Sequence, residues 1–334
     1  MTLALALTAL LAAAGPLAVS VGGPADDPAY LPVHAAAALG TFGAEGVTVT
    51  LRRAKHPAGA AEALREGTVA VAVTTADQAV RGAWARGTPV RVLVAQTRAP
   101  ATALLVSVKH RDRLRRLEDL RGQRVGIPGP GTTGHLLLAT LLGRHRVGPA
   151  DLQLVSLGGA ALVSRLGSGD LAAAVVDEPW ATRALEAGVA EVLLDFRQPE
   201  ETARQLGGPF YEVVSMARAD DKALAESAAA LAAYARALIR VQAWLAATPA
   251  SAVVARLPAG LVGDPDRFVA RLNGTRAAYV VDGHATEAGL RATLQVLRAG
   301  SPWPVTLKVG PEALREPAFI TAARAALGPA PPPP

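Results

Sequence analysis

Thr132, Thr133 and His135 stand in a glycine-rich turn, PGPGTTGH over residues 128–135, between a short apolar run and a leucine-rich one. Two prolines and three glycines within residues 128–134 exclude regular structure there. Thr132 and Thr133 are good N-cap residues for the helix predicted after them. A strand-to-helix turn of this kind aims backbone N–H groups and a helix N-terminus at one point. That point suits an anion or a polar acceptor. A purely structural βα turn uses the same residues, so the turn alone does not decide between them.

Two sharper motifs overlap it. Gly126-x4-Gly131-Thr132-Thr133 nearly spells a phosphate-binding loop, but Thr132 stands where the loop's lysine belongs. Gly129-x-Gly131-x-x-Gly134 matches the dinucleotide fingerprint. It lies mid-chain, contains Pro130, and is followed by a strand with no acid at its end for a ribose. Neither nucleotide reading is favoured.

Other polar residues fall just past predicted strands. Asp27 and Tyr30 flank the start of the first predicted helix. His56 and Gly59 follow the second strand, Thr75 and Asp77 the third, and Gln96 ends the fourth. Later, LAAAVVDEPW over residues 171–180 is a buried-strand pattern ending in Asp177, Glu178 and Trp180. Helix capping by Asp177 explains part of that pattern equally well. Tyr211 is placed on a single strand after GGPF.

The elements that must position these residues alternate. Strands are predicted at residues 17–21, 47–51, 69–73, 90–95 and 103–108, then at 124–127, 152–157, 171–176, 190–194 and 211–216. Helices are predicted between them, including 29–39, 57–66 and 76–86. Beyond residue 216 the pattern turns helical, over 222–247, 265–281 and 286–297. Such βαβ units predict an α/β protein with parallel sheets and helices on both faces. Right-handed crossovers gather the strand C-termini on one edge, where ligands of open α/β sheets bind.

Composition bounds the rest. The chain has 334 residues, 51% of them hydrophobic and 19% charged, enough for two domains with a sizeable core. It has no cysteine, which excludes disulfides, thiolate metal sites, a cysteine nucleophile and a lipid-modified N-terminal cysteine. The net charge is +6. Its densest basic run, Arg111 to Arg124, is interrupted by Asp112, Glu118 and Asp119 and holds no aromatic residue. It reads as a solvated helix face, not a nucleic-acid patch. The six histidines form no metal-ligand pair at helical spacing, and no G-x-S-x-G elbow is present. Residues 1–14, MTLALALTALLAAA, read as a signal-peptide apolar region, atypical in having no Lys or Arg before it. Residues 328–334 read as a proline-rich, disordered tail.

The blocks LEDLRGQRVGIPGPGTTGHLLL, AALVSRLGSGDLAAAVVDEPWAT and GGPFYEVVSMARAD, in that order, resemble the solute-binding proteins of nitrate/sulfonate/taurine-type ABC transporters, which are close to the thiamine-pyrimidine-binding proteins. The likeness runs from about residue 17 to 327. It implies a type II periplasmic-binding fold, two α/β lobes joined by two crossovers with a ligand cleft between them. Lobe 1 would hold residues 15–102, lobe 2 residues 103–209, and residues 210–327 would return as a strand and helices packed on lobe 1. The implied function is that of a solute-binding receptor, not an enzyme, closing over a small sulfonate-, nitrate- or pyrimidine-like ligand and delivering it to a membrane permease and its ATPase. The implied protein is a periplasmic or secreted monomer with no cofactor and no metal. Gly131, Thr132, Thr133 and His135 would bind from lobe 2 with Asp177, Glu178 and Trp180, facing the lobe 1 residues named above. Thr132, Thr133 and Glu178 are the leading candidates. Asp27, Asp77, Asp177 and Glu178 would bring four acids near the cleft, which favours a zwitterion or an amino-bearing heterocycle over a bare anion. An enzyme on the same fold, or a sensory binding protein, are the alternatives. The related pyrimidine synthases need a cysteine-rich motif that this chain lacks.

Overall fold

The structure, a computed structural model, describes residues 14–81, 87–299 and 309–327. The apolar N-terminal run and the proline-rich tail therefore lie outside the described residues, apart from Ala14. Ten strands form two five-stranded sheets. The first contains β1 (Ala14–Val21), β2 (Val47–Arg53), β3 (Val71–Thr75), β4 (Val90–Ala95) and β10 (Val213–Arg218), in the order β2-β1-β3-β10-β4. The second contains β5 (Thr102–Ser107), β6 (Arg124–Ile127), β7 (Gln153–Ser156), β8 (Ala173–Asp177) and β9 (Ala190–Asp195), in the order β7-β6-β8-β5-β9.

Neither sheet is purely parallel, which corrects the expectation from sequence. β10 runs antiparallel to β3 and β4, and β5 antiparallel to β8 and β9. The cause lies in the crossovers. The chain leaves β4 at the C-terminal edge of the first sheet and crosses over residues 96–101. It enters the second sheet at the facing edge, so β5 must run away from it. β9 ends at that edge too, and β10 returns in the same way. The N-terminal ends of β5 and β10 therefore share an edge with the C-terminal ends of the other strands.

The basic run corrects a second expectation. Residues 110–114 form turns and Leu117–Leu120 a short 3-10 helix, so there is no long helix face. Asp119 accepts the N–H groups of Arg115 and Arg116 and pins the turn. The predicted helix at 76–86 is short, Ala76–Ala79, and residues 82–86 lie outside the described ones.

Each sheet is covered by helices. The longest, Asp221–Ala247, opens with Asp220 accepting the Ala223 N–H at 3.0 Å and buries Leu231, Tyr234, Leu238 and Leu245 against the first sheet. Tyr234 stacks on Phe42 with ring centroids 5.4 Å apart. The helix Thr133–Arg144 buries Leu136, Leu137, Leu141 and Leu142 in the core of the second sheet. One helix belongs to both cores. Glu287–Ala299 places Leu290 and Leu294 with the first sheet, and Ala292, Val296 and Leu297 with the second. Among the described residues no helix is long and apolar enough to cross a membrane.

Candidate functional site

A cavity of about 420 Å³ opens where the C-terminal edges of the two sheets face each other. One wall is the turn after β6. Thr132 is the N-cap of the helix Thr133–Arg144, its hydroxyl accepting the His135 N–H at 3.4 Å and donating to the Gly129 carbonyl at 2.8 Å. Gly131 has φ +77°, a conformation glycine adopts without strain, and that fold-back presents Gly131, Thr132 and Thr133 to the cavity. Gly134 allows the helix to sit directly on β8, because a Cβ there would lie 2.6 Å from Val175 Cγ1. The turn spends more of its donors than the sequence implied. The N–H of Gly131 goes to His135 Nδ1 at 3.0 Å, that of Thr132 to the Gly129 carbonyl at 3.3 Å, and that of His135 to Thr132 Oγ1.

The opposite wall is built on the first sheet. His56 caps the helix Pro57–Arg65, its Nδ1 accepting the Gly59 N–H at 3.1 Å. Thr75 ends β3, and Asp77 follows it in the next turn of helix, holding Gln78 Nε2 at 2.8 Å. Asp177, the last residue of β8, and Glu212, just before β10, complete the lining. Glu212 is fixed through its backbone and its side chain. Its carbonyl accepts the Ala76 N–H at 2.8 Å, and its carboxylate accepts the Ala101 N–H on the first crossover at 3.0 Å.

The electrostatics are one-sided. Burial pushes Glu212 up to about 8, against the Ala101 hydrogen bond, and the charges of Asp177, Asp27 and Asp77 add to the shift. Burial likewise lifts Asp27 to about 6, although the Ala29 N–H bonds to its carboxylate. Asp177 is raised for the same first reason, with Glu178 adding to it. Among the described residues none of Asp27, Asp77, Asp177 and Glu212 forms an ion pair. The nearest buried cation, Arg197, is committed elsewhere. It bonds Glu178 Oε1 and Asp195 Oδ1, each at 2.7 Å.

Of the residues singled out from sequence, the cavity brings together His56, Thr75, Asp77, Gly131, Thr132, Thr133 and Asp177. Asp27 lies close enough to raise Glu212, and Tyr30 close enough to feel Asp27, Glu212 and Asp77, without lining the cavity. Gly59 and His135 serve as hydrogen-bond partners within the two turns. The other four lie away from the cavity. Glu178 is buried in its ion pair with Arg197 and accepts from the Thr182 hydroxyl at 2.9 Å, which holds the start of the helix Trp180–Glu186. Trp180 packs on Gly159, where a Cβ would come within 2.1 Å of the ring, and Arg183 stacks over it at 4.3 Å. Gln96 is in the core, donating to Ser215 Oγ at 3.3 Å. Tyr211 precedes β10 instead of lying on it. It packs against Gly289, and its hydroxyl accepts the Thr286 N–H at 2.9 Å.

Glu212 was missed from sequence. Its signal was a single carboxylate in FYEVV at the head of an otherwise apolar strand. Placing it at the ligand edge needed the reversed direction of β10, which the parallel-sheet expectation hid. No three of His, Asp and Glu among the described residues are grouped to hold a metal ion.

The comparisons agree with this architecture. Residues 27–252 match the family model described as NMT1/THI5 like. No curated protein matches the chain. Among solved structures, a protein of Bordetella bronchiseptica RB50 superposes with a TM-score of 0.74 at 24% identity, covering 94% of this chain and 98% of that one. The periplasmic sulfonate-binding protein SsuA of Methylobacillus flagellatus KT gives 0.73 at 14% identity, over 93% and 94%. The periplasmic nitrate-binding protein NrtA of Synechocystis gives 0.66 at 14% identity, over 94% and 89%. At these identities the neighbours establish the fold, two α/β lobes of the periplasmic-binding kind. The family model spans more than half of the chain, and on that match the chain belongs to the NMT1/THI5-like family.

Proposed function

We propose that this protein is the solute-binding receptor of an ABC importer, capturing a small polar organic solute between its lobes and presenting the closed form to a membrane permease and its ATPase. The observation that carries the reading is the cavity of about 420 Å³. Its walls come from both sheets and its floor from residues at the two crossovers. Such a site is completed by moving one lobe toward the other, and closure buries the ligand. The lobes meet at residues 96–101, at residues 196–212 and along the helix Glu287–Ala299, so bending is confined to those segments. The lobe limits are residues 15–102 with 210–327, and 103–209. The receptor acts as a periplasmic or secreted monomer, in the manner implied by the names of its structural neighbours.

Three of the four carboxylates at the floor sit within or beside the cavity without a bound cation, and nothing there resembles a nucleophile with its base. Binding without turnover is therefore the chemistry the site supports. A thermal-shift screen of the full chain tests this, against nitrate, taurine, alkyl sulfonates, aromatic carboxylates, pyrimidines and riboflavin. A ligand at 100 times its dissociation constant adds about 2.7 kcal/mol to stability. In a chain of this size that raises Tm by several degrees. One hit with the ligand recovered unchanged supports the receptor reading. A hit that is converted to product replaces it with an enzyme.

A further inference from the structure

The acids of the cleft define a ligand chemistry, an inference that rests on the receptor reading above. Asp77, Asp177 and Glu212 line the cavity from three different segments: the short helix after β3, the end of β8, and the lead into β10. Asp27 stands behind them. The only basic residue that lines the cavity is His56, and its Nδ1 is already an acceptor for Gly59. Arg271 is near enough to Asp27 to lower it slightly, and Arg197 is held by Glu178 and Asp195.

A second observation points to a ligand independently. Tyr30 is 3% exposed, and its hydroxyl is buried with no hydrogen-bond partner. The charges that act on that hydroxyl are Asp27, Glu212 and Asp77, so it faces the acid group. Buried hydroxyls are ordinarily satisfied. This one marks a floor that is incomplete without a bound molecule.

We infer that the cleft takes a compact organic cation that carries its charge on N–H groups, such as an alkylammonium, an amidinium or a protonated amino-heterocycle. Asp77, Asp177 and Glu212 accept its N–H donors, and the Tyr30 hydroxyl completes the floor. Charge-assisted hydrogen bonds of this kind are shorter and stronger than neutral ones. A bound cation also favours the ionised forms of Glu212 and Asp27 that burial disfavours. An oxyanion in the same place would meet like charge on three sides. The helix N-terminus opposite offers it little relief, because the N–H groups of Gly131, Thr132 and His135 are engaged within the turn.

The test titrates the full chain with n-propylammonium, n-propylguanidinium and benzamidinium chlorides, and with sodium 1-propanesulfonate and nitrate. Calorimetry and thermal denaturation are read at neutral pH and constant ionic strength. The expected result is that at least one cation raises Tm by a few degrees and that neither anion does. The near-isosteric double variant Asp177→Asn/Glu212→Gln is expected to weaken that cation's binding at least tenfold while still melting cooperatively. Asp77→Asn, tested separately, is expected to weaken it as well. If 1-propanesulfonate or nitrate binds and no cation does, the ligand class is wrong and the receptor reading stands. Cation binding that both variants leave unchanged overturns the placement in this cleft. A chain that responds to none of the five probes overturns the cation inference, and the wider screen above then decides the receptor reading separately.

Discussion

Replacing Glu212 by Gln is expected to stabilise the free protein, and to do so only at alkaline pH. In the folded chain burial holds the Glu212 carboxyl up to about 8, whereas its ordinary value is 4.5. Between those two values the folded state keeps a proton that the unfolded chain has released. The folded state then binds more protons, so stability falls as pH rises through that window. The loss is absent below 4.5 and complete above about 8. Its ceiling follows from the gap of about 3.5 at about 1.4 kcal/mol per pH unit, or about 5 kcal/mol. The true cost is smaller, because carboxylates this close titrate together and Asp27 and Asp177 relieve part of it by taking protons themselves. Gln keeps an oxygen that can accept the Ala101 N–H, so the crossover contact survives the substitution. The assay is urea denaturation of the two proteins at pH 5, 7 and 9. The variant should match the parent at pH 5 and exceed it by about 2–5 kcal/mol at pH 9. A difference that is constant across the three pH values would refute the reasoning, because a packing or hydrogen-bond effect has no such dependence.

Other consequences are equally direct. Arg197→Met strands Glu178 and Asp195 without their shared cation and should cost about 3–5 kcal/mol by denaturation, with Glu178→Gln in the same chain restoring part of it. Glu178→Gln alone should leave ligand affinity within twofold by calorimetry, since its carboxylate serves the ion pair and not the cavity. Gly134→Ala forces a Cβ to 2.6 Å from Val175 Cγ1 and should cost about 1–3 kcal/mol. It should also weaken binding by displacing Thr132 and Thr133, so the two losses are read together by denaturation and calorimetry. Thr132→Ala removes the N-cap oxygen and should cost about 1 kcal/mol.

Much of the plan was legible because it is written in local patterns. The apolar runs at residues 90–95 and 124–127 coincide with β4 and β6, and PGPGTTGH yields the capped turn that its prolines, glycines and threonines require. Strand direction was not legible. β5 and β10 look like any other buried strand, and their reversal follows from where the crossovers leave each sheet, a long-range fact with no local signature. Glu212 was lost with it. The acid pair at residues 177 and 178 shows a second limit. Adjacent carboxylates at a strand end look alike in sequence, yet Asp177 faces the cavity and Glu178 turns toward Arg197, nineteen residues on. Choosing between them required knowing where that guanidinium lies. Tyr211 and Gln96 were drawn to the site by position alone, and the core claimed both because Gly289 and Ser215 offer them close partners.

The central claim is that a solute bound between the lobes closes them. Small-angle X-ray scattering of the full chain, with and without the tightest-binding compound of the screen at saturation, tests it most directly. The account predicts a smaller radius of gyration on binding, and no change when Asp177→Asn/Glu212→Gln is given the same compound. Saturation of the native chain with an unchanged scattering profile would contradict it.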